Sequence, residues 1–165
     1  MNTLCLILRK KGARFALMAS LACCQLLPRQ ADKPRPLSPV RLTAGATTRT
    51  LHLWTACSAE EQARGLMGRR SLGGADGMLF VFDGARPRTF WMHDTPLALD
   101  MLFFDGTGRL TCCIEWAEPM TDTPRACPIP SQYVVELPGG AAARLSLGAD
   151  TTLNKDDLAA SCRRP

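Results

Sequence analysis

The chain of 165 residues has only two histidines, His52 and His93, and no Cys-x-x-Cys pair, so the common structural zinc arrangements are excluded. It also lacks Gly-x-Ser-x-Gly and His-Glu-x-x-His. That removes the nucleophile elbow and the zinc-protease helix, and it leaves water as the nucleophile for any hydrolytic reading. There is no internal repeat. Basic surface is scarce as well: of the 20 Lys and Arg, four (Arg9, Lys10, Lys11, Arg14) cluster at the N-terminus, which leaves 16 against 15 acids over the remaining chain. So even a balance offers no footprint for nucleic acid. No apolar run is long enough to cross a bilayer, which takes about 20 residues. The longest, "FALMASLACCQLL", covers Phe15–Leu27.

What is present begins with that run. Four cations followed by a short apolar stretch form the pattern of a secretory signal, so residues 1–27 are expected to be a signal peptide and the chain to be exported, to the periplasm or the exterior. Small residues before Cys23 leave a lipoprotein anchored at Cys23 as the alternative. In either case the mature chain is expected to carry no transmembrane segment. Residues 28–39 hold four prolines and read as an extended linker. The length allows one domain with a real core, placed at 40–153 and followed by a loose tail, 154–165.

Within the domain "VRLTA" and "TRTLHLW" alternate as strands do, and Ser58 stands three residues before Glu61, the capping-box spacing at the start of a helix running toward Met67. "MLFVF" and "TFWM" read as two further strands, and Asp105-Gly106 turns a hairpin between "LDMLFF" and "LTCCIEW". The first hairpin strand is apolar on both faces and is therefore central. "YVVEL" adds a strand, "GGAAARLSLG" a short helix and "TTL" a last strand. The fold class is mainly β with two short helices: a single sandwich or barrel-like, jelly-roll-like domain.

Eight cysteines in an exported chain call for disulfides. Cys112 and Cys113 are adjacent on a strand, point to opposite faces and are badly placed to bond each other. Bridging is favoured for Cys113 and Cys127, while Cys112 is open to bridging or to reduced core burial.

The chemistry-bearing stretch is "FWMHDTP". Asp94 and Thr95 before Pro96 suit a side-chain-supported turn, and Trp91 and Met92 suit a core. Yet His93 adds a titratable group near Asp94 and Asp100, and Arg64 in "RGLM" supplies a cation. Asp100 shares a strand face with Leu102 and Phe104, where an unpaired carboxylate is costly, so it requires a partner or an opening to water, with Arg64 and His93 the available cations. "RGLMGRRSL", "GMLFVFDG", "FWMHDTPLALDMLFFDGTGRL" and "EWAEP" together resemble a bacterial and archaeal family known as domain of unknown function 192. The resemblance implies a compact, mainly β, commonly exported domain and no settled reaction. Family members carry Trp-Met-Lys-Asn-Thr where this chain has Trp91, Met92, His93, Asp94 and Thr95.

Three functions follow. The first is a binding module for a small molecule or carbohydrate, lined by Arg64, Met67, Trp91, Met92, Asp94, Thr95, Asp100 and Glu118. The second is a hydrolase or lyase with His93 as general base, Asp100 orienting it and Arg64 stabilising developing charge. The third places Cu(I) among Met67, Met78, Met92, Met101 and His93, since thioether and imidazole suit a soft ion, although methionine is far more often core filler. No cofactor is expected in the leading reading.

Overall fold

The computed structural model describes residues 36–158 and Cys162. The expected signal segment 1–27 and most of the linker lie outside the described residues. Strand β1 (Ser38–Ala44) starts two residues ahead of the expected domain edge and pairs antiparallel with β2 (Thr47–Ala56). The crossover that follows carries helix α1 (Ala59–Arg64) and leads to β3 (Gly77–Phe90), which runs parallel to β2. A parallel pair needs such a long connection, because the chain must return to the end of the sheet at which the first strand began. Strand β4 (Leu99–Phe104) and β5 (Leu110–Ala117) form the predicted hairpin. Then come β6 (Arg125–Pro138), helix α2 (Ala141–Arg144) and β7 (Thr152–Leu153). All seven strands make one curled, half-barrel sheet in the order β5-β4-β6-β3-β2-β1-β7. The barrel-like form is therefore the one adopted.

Local sequence explains most of these elements. Ser58 caps α1: its Oγ accepts from the Glu61 amide, and the Glu61 carboxylate accepts from the Ser58 amide at 2.8 Å. The helix ends at Arg64, three residues before the expected Met67, and Gly65 is its C-cap. There φ is +47°, and a Cβ would press on the Phe80 ring at 3.2 Å, so the position requires glycine. "MLFVF" and the start of "TFWM" are not two strands but one, β3, with register shifts against β6 between Val81 and Arg88. Pro87 falls inside the shifted stretch, where a missing N–H does no harm, and Trp91 and Met92 lie beyond the strand end.

The sheet buries both faces. Because side chains alternate along a strand, Leu102, Phe104, Val135 and Leu137 join one apolar cluster with Ala141 and Ala142 of α2. Met101, Phe103, Val134 and Phe80 join another with Leu66 after α1 and with Met92. All six residues of β4 are buried, as a central strand requires. Of the tail expected to be loose, the described residues make contacts: Arg41 pairs with Asp157 at 2.8 Å, Leu158 is buried, and Cys162 bonds Cys57. An ion pair, an apolar anchor and a covalent link together hold it to β1 and to the start of α1. No helix among the described residues is long and apolar enough to cross a membrane.

A candidate ligand site on the α1 face of the sheet

Two buried acids sit beside one another in the middle of the sheet and face opposite ways. Asp100 of β4 is fully buried and registers with Leu137 of β6. Its carboxylate accepts three backbone amides: Trp116 at 2.9 Å, Gly140 at 3.0 Å and Ala142 at 2.8 Å. These bonds tie β5 and the start of α2 to the central strand. The expected cation partners, Arg64 and His93, are not what it binds. The reason is the strand's alternation: Asp100 points with Leu102 and Phe104 toward α2, whereas Arg64 lines a cavity on the other face.

Glu136 of β6 points to that other face, with Val134, between Met78 of β3 and Met101 of β4. Only 4% of it is exposed. Gly77 lets β3 approach it closely, since a Cβ there would collide with the Glu136 carbonyl oxygen. Its carboxyl has no hydrogen bond or ion pair among the described residues, and burial pushes its pKa up to about 8. It lines a cavity of about 550 Å³ between α1 and the far end of β3.

The walls of that cavity come from three places. Gln62 and Arg64 come from α1, and Leu66 and Met67 from the turn after it. Phe82, Arg88, Thr89 and Phe90 come from β3, and Trp91 and Thr95 from the loop that follows. Helix α1 is pinned there by its capping box and by Gln62, whose Nε2 donates to the Val81 carbonyl at 2.7 Å. The irregular stretch of β3 folds Arg88 back, so that its guanidinium lies 3.8 Å over the Phe82 ring and donates to the Gly84 and Ser131 carbonyls. Burial, and secondarily Arg86, hold the Arg88 pKa below the ordinary arginine value. Phe90 meets Phe80 and Phe103 edge-on, which ties the aromatic wall to the core.

The residues expected at a site are divided by this geometry. Arg64, Met67, Trp91 and Thr95 come together around the cavity. Arg64 and Met67 also line an adjoining depression of about 510 Å³ that includes Asp94, Arg70 and Met120. A backbone bond from the Gly68 amide to the Asp94 carbonyl, 2.7 Å, holds the "RGLMG" turn against the "HDTP" turn. Thr95 is buried and its hydroxyl donates to the His93 carbonyl, which is the local turn bonding expected of it. Met92 is buried in the core beneath, with Met78 and Met101, as apolar filler. Glu118 is exposed and lines neither depression.

His93 stands at the rim, its ring stacked on Trp91 at 5.1 Å. Its Nδ1 pairs with Asp122 at 2.8 Å, and Asp94 lies 3.7 Å from Nε2. The hydrogen bond to Asp122 raises its pKa above the ordinary histidine value. Asp122, rather than Asp100, orients this ring.

Among the described residues the disulfides are Cys112–Cys127 and Cys57–Cys162, and Cys113 is an exposed free thiol. Cys113, for which bridging was favoured, is thus corrected, and Cys112 takes the bridge. Adjacent strand residues diverge, and Cys112 is the one that packs on the cluster holding Cys127.

Glu136 is the residue that sequence reasoning missed. The signal was there: a single acid inside "YVVELP", a strand that is otherwise apolar, poses the same question as Asp100.

The model of the family described as DUF192, "Uncharacterized ACR", matches residues 40–154. The chain belongs to this family. No curated protein matches it. Among solved structures, a protein of unknown function from Novosphingobium aromaticivorans is 32% identical, with a TM-score of 0.68, covering 72% of this chain and 84% of that one. A protein from Sinorhizobium meliloti, described as a candidate transcription regulator, is 33% identical with a TM-score of 0.67 over 72% of this chain and 95% of its own.

Proposed function

We propose that this DUF192 protein is an exported small-ligand-binding module whose site is the cavity over Glu136. One observation carries the reading: a buried carboxyl without a hydrogen-bond partner among the described residues faces an open cavity. Burying a polar group without a partner costs roughly 2 kcal/mol or more, so a fold keeps one only where something outside the fold bonds it. The volume, about 550 Å³, falls in the range of small-molecule sites, and aromatic walls with few polar groups are their usual lining. Two disulfides support an oxidising compartment and hence export. The regulator description of the Sinorhizobium protein is not carried over, because 16 basic residues against 15 acids outside the N-terminal cluster give no surface for nucleic acid.

The test is a thermal-shift screen of a chemically mixed library, sugars included, on the wild type and on Thr89→Trp, which fills the cavity from an exposed wall position. At a hundred times Kd a ligand stabilises by about 2.7 kcal/mol, a shift of several degrees. At least one class should stabilise the wild type and leave the variant unmoved. A library that shifts neither protein, or both equally, removes this reading.

A hydrolase or lyase with His93 as general base is the second reading, favoured by the His93–Asp122 pair beside Trp91. Turnover by the wild type that disappears in His93→Ala would promote it.

A further inference from the structure

We propose that Trp116 is a stacking platform for a sugar ring, and that Arg144 at its edge favours a sugar bearing a carboxylate. The site is separate from the cavity over Glu136, since neither residue lines that cavity.

The platform starts from a break in the sheet. Leu99 of β4 registers with Ala117 of β5 and Met101 with Ile114, so Glu115 and Trp116 together oppose the single residue Asp100. A bulge of this kind re-aims a side chain. Trp116 takes a φ of +53°, a left-handed conformation that is costly for a bulky residue, and it is 63% exposed. The ring nevertheless has a seat. A Cβ at Gly139 would lie 2.8 Å from its Cε3 and one at Gly140 2.7 Å from its Cζ2, on opposite edges of the six-membered ring, so the ring lies flat across the two glycine backbones. Only glycine leaves room for it. One oxygen, Asp100 Oδ1, accepts from the Trp116 amide at 2.9 Å and from the Gly140 amide at 3.0 Å, and so holds the ring's own backbone and its seat together. The Gly139 amide donates to the Ala98 carbonyl at 2.8 Å. With one face of the indole against glycine, the exposure belongs to the other face.

Size, charge and the group at its edge decide what a fixed, bare indole face takes. A single ring face is far smaller than the roughly 1,000 Å² that a specific protein interface needs, so the occupant is one ring-sized unit. The electron-rich π face attracts polarised C–H groups or a cation. A cation is disfavoured by Arg144, whose Nη1 lies 3.2 Å from the Gly140 Cβ position that the indole also touches, which sets the guanidinium beside the ring. Nη1 donates to the Gly139 carbonyl at 3.4 Å, and the exposed Arg144 has no ion pair among the described residues, so its charge and its other donors remain for a ligand. A pyranose meets both conditions. Its C–H face lies on the indole, its hydroxyls accept from the guanidinium, and a carboxylate on the ring matches the guanidinium fork. An amino sugar would set one cation against another.

NMR titration of the protein with the β-1,4-linked trimers of glucose, glucuronate and glucosamine tests this, since they share ring and linkage and differ in charge. Two signals report on the site: the Trp116 indole N–H, one of three in the chain and assigned with Trp116→Phe, and the Gly140 backbone amide beneath the ring. At neutral pH both should move saturably with the glucuronate trimer, at an affinity about threefold above that of the glucose trimer, the worth of an exposed ion pair, and the glucosamine trimer should bind most weakly. Trp116→Ala, followed at Gly140, should weaken the glucuronate trimer by about tenfold. Gly139→Ala keeps the indole but pushes it off its seat, and it should weaken binding too. Arg144→Ala should bring the glucuronate and glucose trimers level. Melting curves confirm that each variant is folded, and Trp116→Ala alone decides if Gly139→Ala is not. Signals that no trimer moves, or binding unchanged by Trp116→Ala, overturn the proposal. So does preference for the glucosamine trimer, or benzoate binding at Trp116 where none of the trimers does. None of these outcomes bears on the cavity over Glu136, whose test is separate.

Discussion

The two faces of the central sheet solve the same problem in different ways. On the α2 face, Asp100 is buried and receives three backbone amides, so the carboxylate acts as a rivet between β4, β5 and α2. On the α1 face, Glu136 is equally buried, receives no bond among the described residues, and looks into a cavity. A buried acid whose bonds are complete stabilises a fold. One whose bonds are left open costs the fold stability. Burial alone therefore does not tell the two acids apart; bonding capacity met or unmet does.

The largest effect should come from breaking the closed face. Asp100→Ala leaves the amides of Trp116, Gly140 and Ala142 without their acceptor and should cost roughly 5 kcal/mol, at 1–3 kcal/mol per orphaned donor. Denaturant unfolding with the midpoint and slope both recorded checks it. A loss below about 1 kcal/mol would show that water replaces the carboxylate and that the rivet is not structural.

The open face should respond with the opposite sign. Because the folded pKa of Glu136 is near 8 against an unfolded value of 4.5, the folded state holds a proton that the unfolded state has lost between those values. Stability from this group is thus full below the unfolded value, falls as pH rises toward 8, and is level above it. Glu136→Gln removes the titration. The variant should match the wild type near pH 4 and exceed it at pH 9 by an amount on the order of 5 kcal/mol, at about 1.4 kcal/mol per pH unit. Paired urea curves at the two pH values decide this, and equal stability at pH 9 would mean that the carboxyl is hydrated or bonded.

A smaller effect belongs to the bridge that packs on the open face. Cys112–Cys127 spans 15 residues, so Cys112→Ser with Cys127→Ser should cost about 3 kcal/mol in the chain-entropy model. The expected accompaniment is one disulfide fewer than in the wild type, read by mass shift on reduction and alkylation. The smallest effect is at the rim. His93 should titrate above the ordinary histidine value, and Asp122→Asn should bring it down, as followed by NMR of the ring protons. Any stability this pair provides is present at low pH and lost as pH rises through the raised His93 value. An unmoved titration in Asp122→Asn would assign the shift to Asp94.

Several elements could be read from neighbouring residues. Ser58 and Glu61 announced α1, and the apolar run at 99–104 announced a strand covered on both sides. That Asp100 needs a partner was also legible, since an acid on an apolar strand face has to be satisfied. Which groups satisfy it was not. The amides of Trp116, Gly140 and Ala142 lie 16 to 42 residues away, and backbone donors leave no mark in a sequence. Of the residues that line the cavity, Arg64, Met67, Trp91 and Thr95 were singled out because their side chains are conspicuous. Glu136 was passed over inside a strand pattern, and His93 was given Asp100 where it has Asp122.

By itself the sequence determined what acts over a few residues: the period-2 alternation that assigns each strand residue to a face, the capping signals, the hairpin, and the supply of cysteines and buried acids. Only the tertiary structure decided which distant groups meet. Sheet order set Cys127 beside Cys112 and left Cys113 free, and the β2–α1–β3 crossover set α1 over Glu136 rather than over Asp100. The physical reason is that facing is fixed by local backbone geometry, whereas partnership depends on strand order and register, which arise from the packing of the whole chain.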